Sequence, residues 1–500
     1  EMFICFFCLG PLRSEFSTLA CQITDSSYVA HSEDILYRPG YEELKAHKTA
    51  GFFRFVHSAG DLAGAVSKNI DQRRVYIDLD DETVFSVNTQ YAGNTVGLKK
   101  LSLRLAIQKA AAEGWLAEHM FVMGIYNEKG EKAYFCGAYP SMCGKTSTAM
   151  VKDESIVGDD IAYLRARNGK AFAVNVERGI FGIITDVNSK DDAILTKVLT
   201  TPQEVIFSNI LVDKNNVPYW LGKDVKLPSA GENFSGNWFP GKPDETGSEI
   251  APSHKNARFT VRLSSLENVD QNLEEALGVE VKGLIYGGRD SDTSCPVEQA
   301  FNWDHGIITK AASLESETTA ATLGKEGVRV FNPMSNIDFL SVTLGTYIDM
   351  NLRFGRGLDQ APLIFSVNYF LRGEHRRFLN DIEDKRVWLK WIRQRADKAL
   401  GALVTPTGLI PKYEDLAGLF RAVLKKDYRR DDYIEQFSLR IPENIAKITR
   451  IRNIYADSGE IPQVLFDQLE AQENRLLACQ KEFGDTVAPD SFKEEPANAG

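Results

Sequence analysis

Residues 133–151 read AYFCGAYPSMCGKTSTAMV: an apolar strand, a turn-forming segment, and a Gly-Lys-Thr that opens a helix. Strand, loop and helix in that order are what a phosphate-binding loop requires. Backbone N–H groups at a helix start attract phosphate oxygens. In such a loop Gly144 lets the backbone approach, Lys145 brings a positive charge to the outer phosphates, and the Thr146 hydroxyl is a ligand for Mg2+. Tyr139 stands where the pattern usually has its first glycine. A Gly-Lys-Thr tripeptide alone recurs by chance, so the flanking strand and helix carry the reading.

Ile156-Val-Gly-Asp-Asp-Ile161 follows as an apolar strand ending in two carboxylates. Acids at a strand end near a phosphate loop are where metal–phosphate chemistry places a second metal anchor. Gly-Asp-Asp is also ordinary turn chemistry. Cys143 lies beside helix-start N–H groups and Lys145, which favour the thiolate and predict a reactive thiol. Tyr91–Lys100 (YAGNTVGLKK) sets two glycines and two lysines before a helix. Lysines there oppose the helix dipole, a hint that one of them faces a site; a turn with a solvated helix start is the alternative. Apolar spacing predicts a helix over 101–119. His119 would end it, either as a helix-end cap or as a ligand. Asn256-Ala-Arg258 and Gly287-Gly-Arg289 each deliver a guanidinium, whose fork suits carboxylate and phosphate.

Five hundred residues allow two to four domains or one large two-lobed enzyme. The chain is 43% hydrophobic and 25% charged, which excludes a disordered, collagen-like or disulfide-scaffold chain. A net charge of −11 argues against general nucleic-acid binding. The seven cysteines, an odd number in a large chain, predict neither a zinc site nor a disulfide framework and fit a reducing cytoplasm. No apolar run approaches the roughly 18 residues of a membrane span. The opening EMFICFFCLG reads as a buried strand, and with Glu first the sequence reads as a partial or processed chain. Further strands are expected at 74–77, 120–126, 133–137, 182–184 and 283–286, with helices over 385–400 and 464–483. Alternating strands and helices predict an α/β or α+β enzyme. Ser229–Glu249 is a long Gly-, Pro- and Ser-rich connection, functional or mobile. Glu315–Gly327 has the small, polar composition of a moving lid or of a plain surface loop. The tail from Asp485 reads as disordered.

YPSMCGKTSTAM resembles the FPSACGKTNLAM segment of GTP-dependent phosphoenolpyruvate carboxykinases. EMFICFFCLGPL, YAGNTVGLKKLSLR, GWLAEHM, VGDDIAYL, SHKNARF, GLIYGGR, SETTAA and GLIPKYEDL all have counterparts there in the same order. The resemblance implies an α/β, two-lobed fold with a phosphate-loop-containing mixed-sheet domain and a mobile lid. Its divisions would be 1–118 as the remainder of the N-terminal substrate lobe, 119–484 as the catalytic lobe with the lid at 315–327, and 485–500 as a flexible tail. It implies a decarboxylase of gluconeogenesis: oxaloacetate loses CO2, and the enolate takes a phosphoryl group to give phosphoenolpyruvate. Carried over by position, Lys100, His119 and Asp160 would bind Mn2+; the lysine would have to be neutral to do so. Ser141, Gly144, Lys145, Thr146 and Ser147 would hold the nucleotide phosphates and Mg2+, with Asp159 behind that metal, and Ser141, Cys143, Lys145 and Arg258 would be the catalytic residues. Tyr91, Gly93, Asn256 and Arg258 would hold oxaloacetate or phosphoenolpyruvate, and Arg289 would neutralise phosphate charge.

Three departures matter. The family's substrate-gripping arginine belongs to a stretch ahead of Glu1. Ser147 stands where the family has Asn. The guanine pocket looks eroded: Phe370 and Phe378 survive, while Ile382, Asp384 and Lys385 replace the rest of its Phe- and Asn-bearing segment. A purine wants stacking and amide hydrogen bonds, so GTP/GDP and pyrophosphate are both carried forward as the phosphoryl partner. Two readings of other classes stand beside this one: a non-catalytic anion- or nucleotide-binding fragment, and an unrelated phosphate-loop kinase. No nucleic acid or membrane partner is expected, and the sequence carries no signal for an oligomeric state.

Overall fold

The computed structural model describes residues 1–46, 51–64, 66–89, 98–318, 327–373 and 377–496. They form two compact units, one of residues 1–102 and 175–276, the other of 103–174 and 277–500.

In the first unit a six-stranded sheet runs, edge to edge, Arg38–Pro39, Phe3–Leu9, Thr18–Thr24, Phe53–Ser58, Thr83–Val87 and Arg74–Asp78. The opening segment is the second strand of this sheet. Cys5 and Cys8 have Cys-x-x-Cys spacing, but residues three apart on a strand point to opposite faces, and both are free thiols. A second sheet orders Gly179–Ile183, Arg258–Arg262 and Val205–Ser208. Part of the long connection is itself structured, pairing Gly231–Asn233 with Gly236–Trp238.

The helix Leu98–Glu113 opens with its two lysines. The Leu98 N–H donates to Glu33 Oε1 at 3.0 Å, and burial pushes the Glu33 carboxyl up to about 8. Lys99 pairs with Glu177 at 2.9 Å, with only 2% and 1% of their side chains exposed. The conflict with the helix dipole is thus answered for Lys99 by a buried counter-ion; Lys100 is buried as well.

The second unit is built on a twelve-stranded mixed sheet. At its centre Lys132–Ala138, Val279–Gly287 and Leu363–Val367 run parallel. Parallel strands are covered on both faces and so read as continuous apolar runs. Phe365 packs edge-on against Trp391 of the helix Lys385–Ala396, ring centroids 6.2 Å apart. Its neighbour Ile364 belongs to the buried cluster on the other face with Ile448 of Ile441–Ala456 and Leu465 of Gln463–Phe483. The sheet therefore presents the carboxyl ends of three parallel strands along one edge, the place where open α/β sheets bind ligands.

The expected strands at 74–77, 133–137 and 283–286 fall within observed ones and those at 120–126 and 182–184 overrun theirs by one residue, but the helix over 101–119 does not extend that far. It stops at Glu113 because Gly114 turns the chain at φ 78°. Leu116–Glu118 is a strand paired with Ala162–Leu164. His119 therefore follows a strand and caps no helix. The segment read as a disordered tail carries structure through Pro496. Thr486–Val487 pairs with Leu439–Arg440, Lys493–Glu494 pairs with Leu403–Val404, and the Glu495 carboxylate meets the buried Arg395. No helix among the described residues is long and apolar enough to cross a membrane.

Removing one partner of a buried ion pair leaves the other charge unsatisfied, at about 3–5 kcal/mol. Glu177→Gln should lower the first unit's stability by about that much, read as an earlier midpoint in urea unfolding. An unchanged midpoint would show that the pair contributes nothing net.

Candidate functional site

The three parallel strands each end in a segment that sequence reasoning singled out. After Lys132–Ala138 comes the phosphate loop, with its helix at Lys145–Ala149. Gly144 caps that helix at φ 89°, a conformation that favours glycine. Met142 is also left-handed, at φ 64°. Ser141 is exposed, Gly144, Lys145, Thr146 and Ser147 are half-buried, and Cys143 is buried. The hydroxyls of Ser147 and Thr148 donate to the Gly144 carbonyl at 3.2 and 2.7 Å, which tightens the first turn.

Tyr139, in the place of the usual glycine, is 1% exposed and stacks with Tyr369 at 6.2 Å. Its ring lies on Gly287, where an added Cβ would come within 2.0 Å of it. That contact explains the glycine of GLIYGGR, which the sequence suggested only as a way to present an arginine. It also ties the loop to the next parallel strand.

Arg289 follows that strand. Its guanidinium sits 3.7 Å from the Phe370 ring centroid and donates to the Met142 carbonyl at 3.0 Å. Phe370 follows the third strand. Its ring is 6.4 Å from that of Phe378, inclined at 69°, and Arg372 covers Phe378 at 4.3 Å. The two rings survive as an aromatic edge to the loop, but they are not parallel faces. Asp384 and Lys385 stand where a helix begins. The Asp381 and Asp384 side chains and backbones form a reciprocal capping box on the 3-10 turn Ile382–Asp384, which leads directly into the helix Lys385–Ala396. Both Asp384 and Lys385 are buried, and burial pushes Asp384 up to about 6. Ile382 is 56% exposed. The charged residues that made the pocket look eroded are helix-start chemistry.

At the end of Ser155–Gly158 lie Asp159 and Asp160, both buried. Asp160 Oδ1 is 2.8 Å from His119 Nε2. The Lys145 ammonium donates to both, at 2.7 Å to His119 Nε2. His119 Nδ1 faces the Ser335 carbonyl at 2.9 Å. A carbonyl only accepts, so Nδ1 carries a proton; an ammonium only donates, so Nε2 accepts from Lys145, which bridges it to the Asp160 carboxylate. An imidazole lone pair beside a carboxylate, with the other ring nitrogen hydrogen-bonded, is a donor set that fits a first-row divalent cation. Among the described residues no three His, Cys, Asp or Glu side chains converge. A cation at this pair would need another kind of donor, such as an amine, a hydroxyl or water.

Lys100, Asn256 and Arg258 belong to the first unit. Arg258 opens its strand paired with Ile183 and Ser208, its guanidinium 5.6 Å from the Phe181 ring centroid. Asn256 is exposed, and its N–H donates to His254 Nδ1 at 3.1 Å. Tyr91 and Gly93 lie outside the described residues, as do positions 319–326 of the segment read as a lid. The base of that segment is a two-stranded ribbon, Glu315–Glu317 with Arg329–Phe331. Arg450 clasps Glu315 with two hydrogen bonds, at 3.1 and 2.8 Å.

The surroundings of Cys143 argue against the reactive thiol expected from its sequence neighbours. Cys143 Sγ lies 3.0 Å from Ser316 Oγ, and burial raises its pKa against the smaller opposing effects of Ser316 and Arg289. The backbone and lysine charge near it in sequence do not compensate for lost hydration. Cys143 should therefore react with iodoacetamide more slowly at pH 7.5 than half-exposed Cys5, gaining rate only at higher pH. Peptide mapping that finds Cys143 modified first would contradict this.

Comparison with known proteins matches the same segments. Residues 1–111 match the model of the phosphoenolpyruvate carboxykinase N-terminal domain, and residues 115–475 that of the C-terminal P-loop domain. The phosphoenolpyruvate carboxykinase (GTP) of Pyrococcus abyssi is 59% identical over 495 residues, 98% of this chain and 80% of that protein. The Thermococcus kodakarensis protein of the same name is 57% identical, covering 99% of this chain and 80% of its own length. That of Saccharolobus solfataricus is 45% identical, covering 98% and 78%.

Proposed function

Because the chain belongs to the GTP-type phosphoenolpyruvate carboxykinase family, we propose that it interconverts oxaloacetate plus GTP with phosphoenolpyruvate, CO2 and GDP, in the cytoplasm. The observation that carries this reading is the meeting of Lys145, from the phosphate loop, with His119 and Asp160, from two separate strand ends. It brings phosphate-binding and cation-binding groups within one hydrogen bond of each other, which a reaction joining an enolate to a phosphoryl group needs. The name shared by relatives up to 59% identical supports GTP over pyrophosphate, and the capping role of Asp384 gives that residue a reason to be there that does not depend on the base.

In the forward direction the bond from C3 to the departing carboxylate breaks. Its electron pair forms the enolate, CO2 leaves, and the enolate oxygen attacks the γ-phosphorus as GDP departs. A divalent cation, Mn2+ by family resemblance, supplies charge to stabilise the enolate oxygen and the transferred phosphoryl. His119 Nε2 and Asp160 would hold it. Lys145 balances the Asp160 charge and is the cation a phosphate oxygen competes for. Ser141, Gly144, Thr146 and Ser147 would bind the phosphate chain, and by family resemblance the Thr146 hydroxyl would help to hold Mg2+. Arg289, held over the Phe370 ring, offers its guanidinium along the loop, and Phe370 and Phe378 would border the base. For Lys100 as a further metal ligand, and for Arg258, Asn256, Tyr91 and Gly93 as grips on the dicarboxylate, the family resemblance is the support.

The test is a coupled assay with Mn2+, phosphoenolpyruvate and bicarbonate, offering GDP, ADP, IDP or inorganic phosphate as acceptor. GDP and IDP should support oxaloacetate formation and phosphate should not; turnover with phosphate alone would return the pyrophosphate reading. Lys145→Ala should abolish phosphoryl transfer while sparing slow oxaloacetate decarboxylation. Equal loss of both would argue against this division of labour. His119→Ala should cut turnover by ~10²-fold or more, as loss of a Lewis-acid site does.

A further inference from the structure

The His119 ring is held by an unusual piece of backbone. Met334 and Ser335 are consecutive non-glycine residues at φ 54° and 55°, and both are buried. Residues with a Cβ avoid this region unless the surroundings enforce it, and such conformations gather at functional sites. The effect of the strained pair is to aim the Ser335 carbonyl at His119 Nδ1, 2.9 Å away.

What enforces it is the next residue. Asn336 is fully buried. Its amide donates to the Tyr347 hydroxyl at 2.8 Å and to Glu118 Oε2 at 3.3 Å. Tyr347 in turn donates to Glu118. Asn351 donates to the other Glu118 oxygen at 3.5 Å. Glu118 immediately precedes His119, so the same two-residue stretch is fixed twice. Its carboxylate anchors Asn336, and its imidazole takes the carbonyl that Asn336 holds in place. The Phe339 edge closes the imidazole face at 5.1 Å.

We propose that Glu118, Asn336 and Tyr347 are positioning residues that lock His119 as its Nδ1–H tautomer through the Ser335 carbonyl. Nε2 is thereby kept as an acceptor for the Lys145 ammonium, and as the lone pair that a cation beside Asp160 would take in its place. The inference deepens the proposed function and rests on His119 as a cation ligand there. A histidine free to exchange its proton between nitrogens would present Nε2–H part of the time, and an N–H cannot coordinate.

The experiment uses the full chain with 15N-labelled histidine. Nitrogen chemical shifts of metal-free enzyme report the His119 tautomer, assigned by the signal lost in His119→Gln. Mn2+ affinity is measured separately by electron paramagnetic resonance. The wild type should show a single Nδ1–H tautomer. Asn336→Ala should mix the tautomers and weaken Mn2+ binding by ~10-fold or more, the usual effect of losing a partner of a metal ligand. Tyr347→Phe, which deletes only the hydroxyl, should move both readouts the same way and serves if Asn336→Ala does not fold. Glu118→Gln, which can still accept from Tyr347, should keep the tautomer. A pure Nδ1–H signal in both Asn336→Ala and Tyr347→Phe would overturn the proposal. So would undiminished Mn2+ affinity in those variants where His119→Gln abolishes it. If His119→Gln leaves Mn2+ binding intact, the cation-ligand reading itself fails, and with it this inference.

Discussion

One ammonium, one imidazole and one carboxylate share a largely buried space at the end of the mixed sheet. Lys145 donates to His119 Nε2 and to Asp160, and none of the three has much contact with water. Buried charges persist only when paired and hydrogen-bonded. The cluster therefore constrains everything that brings its members together. The phosphate loop must place Lys145 at the first turn of a short helix. The strand Ser155–Gly158 must deliver Asp160. The break after Glu113 must convert the chain from helix to strand in time to present His119.

The sheet makes these demands compatible. Three parallel strands end side by side, and each contributes a different chemistry: the phosphate loop, Arg289, and the aromatic pair Tyr369–Phe370. Tyr139 packed on Gly287 locks the first to the second, and the Arg289 guanidinium on Phe370 links the second to the third. The strands are buried on both faces, so their direction and spacing are fixed by packing. The loops at their ends inherit that rigidity.

Much of this was legible in the residues. The strand before Tyr139, the Gly-Lys-Thr after it, and the acids closing Ile156–Asp160 are short-range patterns, and each forms the element its pattern implies. What escaped were features set by distant partners. His119 looked like a helix terminus because apolar spacing continues past Gly114; only pairing of Leu116–Glu118 with Ala162–Leu164 makes that segment a strand. Cys143 looked activated because its sequence neighbours are positive, whereas its spatial surroundings are dry. Asp384 looked like an intruder in a base pocket, although an acid at Asp381 followed by an acid three residues on is a capping signature. Ser335, Asn336 and Tyr347 left no sequence signal, since they meet His119 and its neighbour Glu118 from more than 200 positions away.

The most direct test locates the cation. Anomalous scattering at the manganese edge, from crystals of the enzyme grown with GDP and Mn2+, should place an ion between His119 Nε2 and the Asp160 carboxylate. Lys145 should then have turned from Asp160 to a nucleotide phosphate. Manganese found remote from both side chains, with Lys145 still paired to Asp160, would contradict the account.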